Sequence, residues 1–118
     1  MSEMPGSPAA GPRFVSVPEI AEALGVVVTK VHQMLRDHSL VGLRRDGVLR
    51  VPAEFVQSGQ VVKGLPGTIT LLTDAGYDDA EIVDWLFADD GSASGSPMAS
   101  LRAGRTREVH RTAQASGF

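Results

Sequence analysis

The stretch Leu40-Val41-Gly42-Leu43-Arg44-Arg45-Asp46-Gly47-Val48-Leu49-Arg50-Val51-Pro52 alternates apolar and polar residues around an Asp-Gly pair, the pattern of a β-hairpin. An isolated hairpin is marginal in water, so this one has to pack against helices. Two registers compete for it. A two-residue Asp46-Gly47 turn would pair Arg45 with Val48 and Leu43 with Arg50, mixing cations and apolar residues on both faces. A three-residue loop, Arg45-Asp46-Gly47 with Gly47 left-handed, instead puts Val41, Leu43, Leu49 and Val51 on one face and Arg44 with Arg50 on the other. Side-chain parity favours the three-residue loop.

Helical periodicity flanks the hairpin. Val17, Ile20, Ala21 and Leu24 recur at helical spacing, with Pro18 suited to the first turn and Gly25 to the position past the end, which predicts a helix over 18–24. A second helix is expected over 29–38, where Val28, Val31, Met34 and Leu35 fall within an arc of about 120°. Ala53 to Val56 reads as a short helical turn, and Ser58-Gly59 as part of a linker. Ile69, Leu71, Leu72 and Ala75 predict a further helix, stopped by Gly76. Asp78 with Glu81 three residues on is a capping box, and it opens a helix carrying Ile82, Val83, Trp85, Leu86 and Phe87. Residues 1–14 read as a flexible arm, 15–57 as one unit, 58–88 as a helical extension packed on it, 89–97 as a linker, and 98–118 as a basic C-terminal helix. The expected fold class is mainly α with a small β-hairpin.

Net charge is −3, but it is unevenly distributed. Residues 14–52 carry +1, residues 53–99 carry −7 with Lys63 their one cation, and residues 100–118 carry +3. A nucleic-acid phosphate senses the local cations, so an acidic total does not exclude it as a partner. Two helices around a glycine turn, followed by a basic hairpin, is the element order of a winged helix-turn-helix. The competing reading is a small α+β domain whose polar helix face is merely solvated. On the DNA reading, Thr29, Gln33 and Arg36 centre the polar face of the second helix, flanked by Lys30 and His32. Gln can address adenine, Arg and Lys guanine or phosphate, and Thr a thymine methyl. Arg44, Arg45 and Arg50 on the hairpin would follow a backbone or enter a minor groove.

Other chemistries find little support. The absence of cysteine removes disulfides, thiolate metal sites and cysteine nucleophiles. His32 and His38 lie about 240° apart around a helix and cannot share a metal, and His110 is remote from both. Gly59 and Gly64 have P-loop spacing, but Leu65-Pro66 stands where Lys-Ser/Thr must reach phosphate and magnesium. The acidic cluster from Asp78 to Asp84 suits a helix N-terminus and lacks calcium-loop spacing. No catalytic residue, no metal and no cofactor is therefore expected. Neither a signal-peptide pattern nor an apolar run of ~18 residues occurs, so the expectation is a cytoplasmic protein without a membrane partner. The arginines from 102 to 111 admit three readings: a solvated face, a DNA-backbone contact, or a clamp onto the acidic middle.

Val17-Pro18-Glu19-Ile20-Ala21-Glu22-Ala23-Leu24-Gly25-Val26, Thr29-Lys30-Val31, Leu35-Arg36, Leu40-Val41 and the hairpin ending in Val51-Pro52 resemble the helix-turn-helix and wing of the MerR and excisionase class. The segment from Ser58 to Gly67, with Asp74-Ala75-Gly76-Tyr77, Trp85-Leu86-Phe87 and Arg107-Glu108-Val109, resembles a family of small actinobacterial winged-helix DNA-binding proteins that includes a mycobacterial serine/threonine-kinase substrate. The likeness spans roughly residues 15–115, and its specific part lies in Gly59 to Gly67 and in Trp85-Leu86-Phe87. It implies sequence-specific binding of double-stranded DNA by helix 29–38 and the wing, a role in transcription or DNA architecture, and a serine/threonine protein kinase as a further partner. Val27 departs from the MerR pattern, where Ser or Thr is the usual cap; Thr29 is the candidate cap in its place. A rival of another class is a non-catalytic adaptor that keeps the fold and binds a protein through its acidic second half and exposed aromatics such as Trp85. Oligomeric state is open on either reading.

Overall fold

The computed structural model describes residues 12–116. Strand β1 (Phe14–Ser16) runs directly into helix α1 (Val17–Leu24), with Ser16 as the cap. The Ser16 Oγ accepts from the Glu19 N–H at 3.2 Å, and the Ser16 N–H donates to the Glu19 carboxylate at 2.9 Å. This reciprocal box satisfies two backbone or side-chain partners at once and fixes the helix start. Gly25 then turns the chain with φ 71°, and the Val26 N–H donates to the Ala21 carbonyl at 3.0 Å. A side chain there would meet the left-handed penalty, so glycine sets the angle into helix α2 (Val28–Arg36).

Helix α2 is shorter than its expected span of 29–38. Asp37 caps it, His38 is left-handed at φ 61°, and the Ser39 N–H donates to the Met34 carbonyl at 2.9 Å. With the His38 N–H on the Leu35 carbonyl at 3.3 Å, this is a Schellman closure built on a histidine instead of a glycine. The helix starts one residue earlier than expected, because Val27 and not Thr29 occupies the cap, without a side-chain hydrogen bond.

Strands β2 (Leu43–Arg45) and β3 (Val48–Pro52) form the hairpin, and β1 adds to the other edge of β3, giving the order β1-β3-β2. The register corrects the parity argument. Arg45 pairs with Val48 and Leu43 with Arg50, so the loop is the two-residue Asp46-Gly47 turn, with φ 54° and 79°. Two successive positive φ values give the type I′ turn whose twist matches the strands. Parity failed because Val41 is not on the ladder with Leu43. Gly42 interrupts the strand, pressed so close to β3 that an added Cβ would lie 2.9 Å from the Arg50 carbonyl oxygen. Val41 is thus buried by a different backbone path, and Leu43 is left on the outer face.

Beyond β3, a single 3₁₀ turn (Ala53–Phe55) buries Phe55 completely. The expected linker at Ser58-Gly59 is a second tight hairpin, β4 (Val56–Gln57) and β5 (Gln60–Val61), turned by φ 54° at Ser58 and 77° at Gly59. Helices α3 (Leu65–Asp74) and α4 (Asp79–Phe87) follow as the periodicity predicts. The Asp78–Glu81 box is formed, with hydrogen bonds of 2.8 and 2.9 Å. The single basic helix expected over 98–118 is instead two, α5 (Pro97–Arg102) and α6 (Thr106–Ser116), separated at Gly104 with φ 87°. Pro97, placed at the end of the expected linker, opens α5 behind the Ser96 cap. Most of the expected N-terminal arm lies outside the described residues; Phe14, its last residue, pairs with Pro52.

One apolar cluster runs through both halves, from Val15, Ile20, Val31 and Val51 to Ile69, Leu86, Met98 and Ala113. Phe55 stacks on Phe87 with ring centroids 6.1 Å apart, joining the turn after the hairpin to α4. Arg102 adds a polar tie: its guanidinium donates to the Glu54 and Val56 carbonyls at 2.7 and 3.2 Å.

Candidate nucleic-acid interface

Val31 faces inward from α2 with no exposed surface, and Met34 and Leu35 flank it half-buried. At about 100° per residue, Thr29, Gln33 and Arg36 lie within roughly 40° of the direction opposite Val31. All three are exposed, as are Lys30 and His32 beside them. The helix therefore presents a continuous polar ridge flanked by Lys30 and His32, and its leading end carries exposed valines on the side nearer Val31. Val27 is 71% exposed and Val28 39%. An apolar pair at the leading end of such a helix is what the spacing argument missed, because it assigned Val28 to the core stripe.

The wing divides its arginines differently from the parity expectation. Phe14, Leu43, Arg45, Val48 and Arg50 share the outer face, whereas Arg44 shares the inner face with Val15, Leu49 and Val51. Arg44 stays exposed because it sits at the tip, beyond the packed part of the sheet, where its guanidinium donates to the Gly47 carbonyl at 3.3 Å. Arg45 lies over the Phe14 ring, 4.2 Å from guanidinium carbon to ring centre, a cation–π contact that holds the cation flat on the outer face. Arg50 is half-buried opposite Ser16. The Glu19 carboxylate is held below its ordinary value by the Ser16 backbone hydrogen bond first and the Ser16 side chain second, with the Arg13 and Arg50 charges adding to the effect.

The structure thus brings Thr29, Lys30, His32, Gln33 and Arg36 onto one helix, and Arg45 and Arg50 onto one sheet face. Arg44 belongs to the opposite side of the wing tip. One of the two features of the adaptor reading, an exposed Trp85, is less available than the sequence suggests: Trp85 is half-buried, and its indole N–H donates to the Ser116 hydroxyl at 3.2 Å. No helix among the described residues is long and apolar enough to cross a membrane.

Comparison with known proteins matches both halves. The family model for the winged helix-turn-helix domain of DNA-binding protein Rv2175c matches residues 9–56. The model for the Rv2175c C-terminal domain, of unknown function, matches residues 62–117. DNA-binding protein Rv2175c of Mycobacterium tuberculosis is 44% identical over 115 residues, covering 86% of this chain and 79% of that protein. The NMR structure of Rv2175c superimposes with a TM-score of 0.79 at 39% identity, over 99% of each chain.

Proposed function

This chain belongs to the Rv2175c family of winged-helix DNA-binding proteins, and we propose from that premise that it reads DNA sequence with α2 in the major groove and β2–β3 as the wing. The observation that carries the reading is the exposed Thr29, Gln33 and Arg36 ridge, set opposite a fully buried Val31. An α-helix fits the major groove, and this ridge offers an amide, a guanidinium and a hydroxyl-methyl group to base edges. Arg45 and Arg50 then contact the backbone from the outer face of the wing, with Arg44 at its tip. The role is that of a transcriptional regulator or architectural factor without catalysis, acting in the cytoplasm. A serine/threonine protein kinase is proposed as a further partner on the strength of the resemblance alone.

A titration of isotope-labelled protein with a duplex tests the placement. The Gln33 side-chain amide and the backbone amides of Thr29 to Arg36 are expected to shift most, followed by those of Arg45 and Arg50. Shifts confined to α4 and the acidic segment around it would overturn the reading.

A further inference from the structure

We infer that the C-terminal half carries a second phosphate-contacting surface, a cationic groove along the start of α6 that holds the backbone of the bound DNA. Its walls are Lys63, Arg105, Arg107 and Arg111, with Glu108 the one carboxylate among them and His110 at one side. The groove is open to solvent, a shape suited to an extended polyanion more than to a small molecule that must be enclosed.

The fold brings these cations together across more than forty residues of sequence. Gly64 is left-handed at φ 88°, and a Cβ there would collide with Thr106. The bare backbone lets the first turn of α6 lie against residues 63–64. The Thr106 hydroxyl donates to the Lys63 carbonyl at 3.5 Å, and the His110 Nε2 lies 2.9 Å from the Gly64 carbonyl oxygen. That oxygen can only accept, so Nε2 is the donor in this contact. The Lys63 backbone is thereby held beside the start of α6.

Folding does not explain the cations themselves. Arg102 donates to two backbone carbonyls of the other half. Lys63, Arg105, Arg107 and Arg111 are exposed, and among the described residues none has a side-chain hydrogen bond within 3.5 Å. Two of the four, Arg105 and Arg107, stand at the N-terminal end of α6, where the macrodipole disfavours positive charge, and Arg107 and Arg111 are a like-charged i, i+4 pair. Helix α4 has only carboxylates, Asp79 and Glu81, among the charges of its first turn, whereas α6 sets Glu108 beside Arg107. Glu108, three residues from both Arg105 and Arg111, offsets them only in part, and the net positive charge left in the groove is complementary to an anion outside the chain. Because the chain is a DNA-binding protein, the anion is the DNA backbone; this inference rests on the DNA reading but not on α2 being the base-reading helix.

The test is salt-titrated binding of a labelled mixed-sequence duplex to the full chain and to the triple variant Lys63→Gln, Arg107→Gln, Arg111→Gln. Three lost phosphate contacts lower the slope of log affinity against log salt by about 2.7, at roughly 0.9 per contact. Sequence preference stays as it was, and removing the repulsion leaves the melting temperature equal or higher. The double variant Arg107→Lys, Arg111→Lys keeps the slope. An unchanged slope in the triple variant overturns the inference, as does a lower melting temperature, which would make the cations part of the fold. Loss of binding to a phosphorylated peptide with the DNA slope intact overturns it too, by assigning the groove to a protein partner. Gln33→Ala in selection from random duplexes separates the two ideas: an unchanged sequence preference there, alongside a reduced slope in the triple variant, removes the α2 reading and leaves the groove standing.

Discussion

Leu86→Ala tests whether the two halves are one cooperative unit. Leu86 is fully buried on α4, within the cluster that also holds Val15, Val31 and Val51, and its neighbour Phe87 stacks on Phe55. Truncating a buried leucine removes its transfer free energy and leaves a cavity, together about 2–5 kcal/mol. A chain of 118 residues has a total stability of about 6–18 kcal/mol at typical values per residue, so the loss is a large share. At about 4 °C per kcal/mol for a domain of this size, the melting temperature falls by roughly 8–20 °C. Trp85, the one tryptophan, reports on the second half by fluorescence, while slow amide exchange at Ile20 and Val31 reports on the first. Both probes are expected to move together to the same lower transition. If Trp85 fluorescence melts early while Ile20 and Val31 keep their protection, the halves are separate and the shared core is an incorrect account.

Val27→Ser gives α2 the side-chain cap it lacks, so melting curves should show a gain of about 1 kcal/mol. Gly47→Val places a β-branched residue at φ 79° and should cost more than ~1 kcal/mol in denaturant titration; the bulk itself meets open space, so the effect is conformational. Glu19 has a folded value below its ordinary 4.5, so its contribution to stability is complete above that value and is lost as pH falls through the lower, folded one. Glu19→Gln should therefore flatten the loss of stability below pH 4.5 in acid titrations followed by circular dichroism.

The helices were legible where periodicity and caps agree. Pro18 with Gly25 and Asp78 with Glu81 announce their elements because each supplies a definite hydrogen-bond partner or backbone angle. The end of α2 was hidden, since a left-handed His38 has no compositional signature. The wing register was misread through one residue: Gly42 ends the alternation, and beyond it the tip residues are too exposed for parity to constrain them. Local turn chemistry at Asp46-Gly47 then decides the pairing, and with it which arginines share a face. The split between α5 and α6 has signals in Ser96 before Pro97 and in Gly104, but the weak apolar content of this segment leaves no helical stripe to show where one helix ends and the next begins. Of the candidate site, the ridge on α2 was visible from spacing alone. The groove at Lys63 was not, because only the folded contact of Gly64 with Thr106 brings its two parts together.

The central claim is that α2 reads bases, and selection of bound sequences from a random duplex pool with the parent chain and Gln33→Ala measures it most directly. Gln33 is exposed, so the variant should keep its melting temperature. The account predicts that preference at one base step relaxes by about 1–3 kcal/mol while the rest of the selected sequence is unchanged. Identical selected sequences from both proteins, with the variant fully folded, would contradict it.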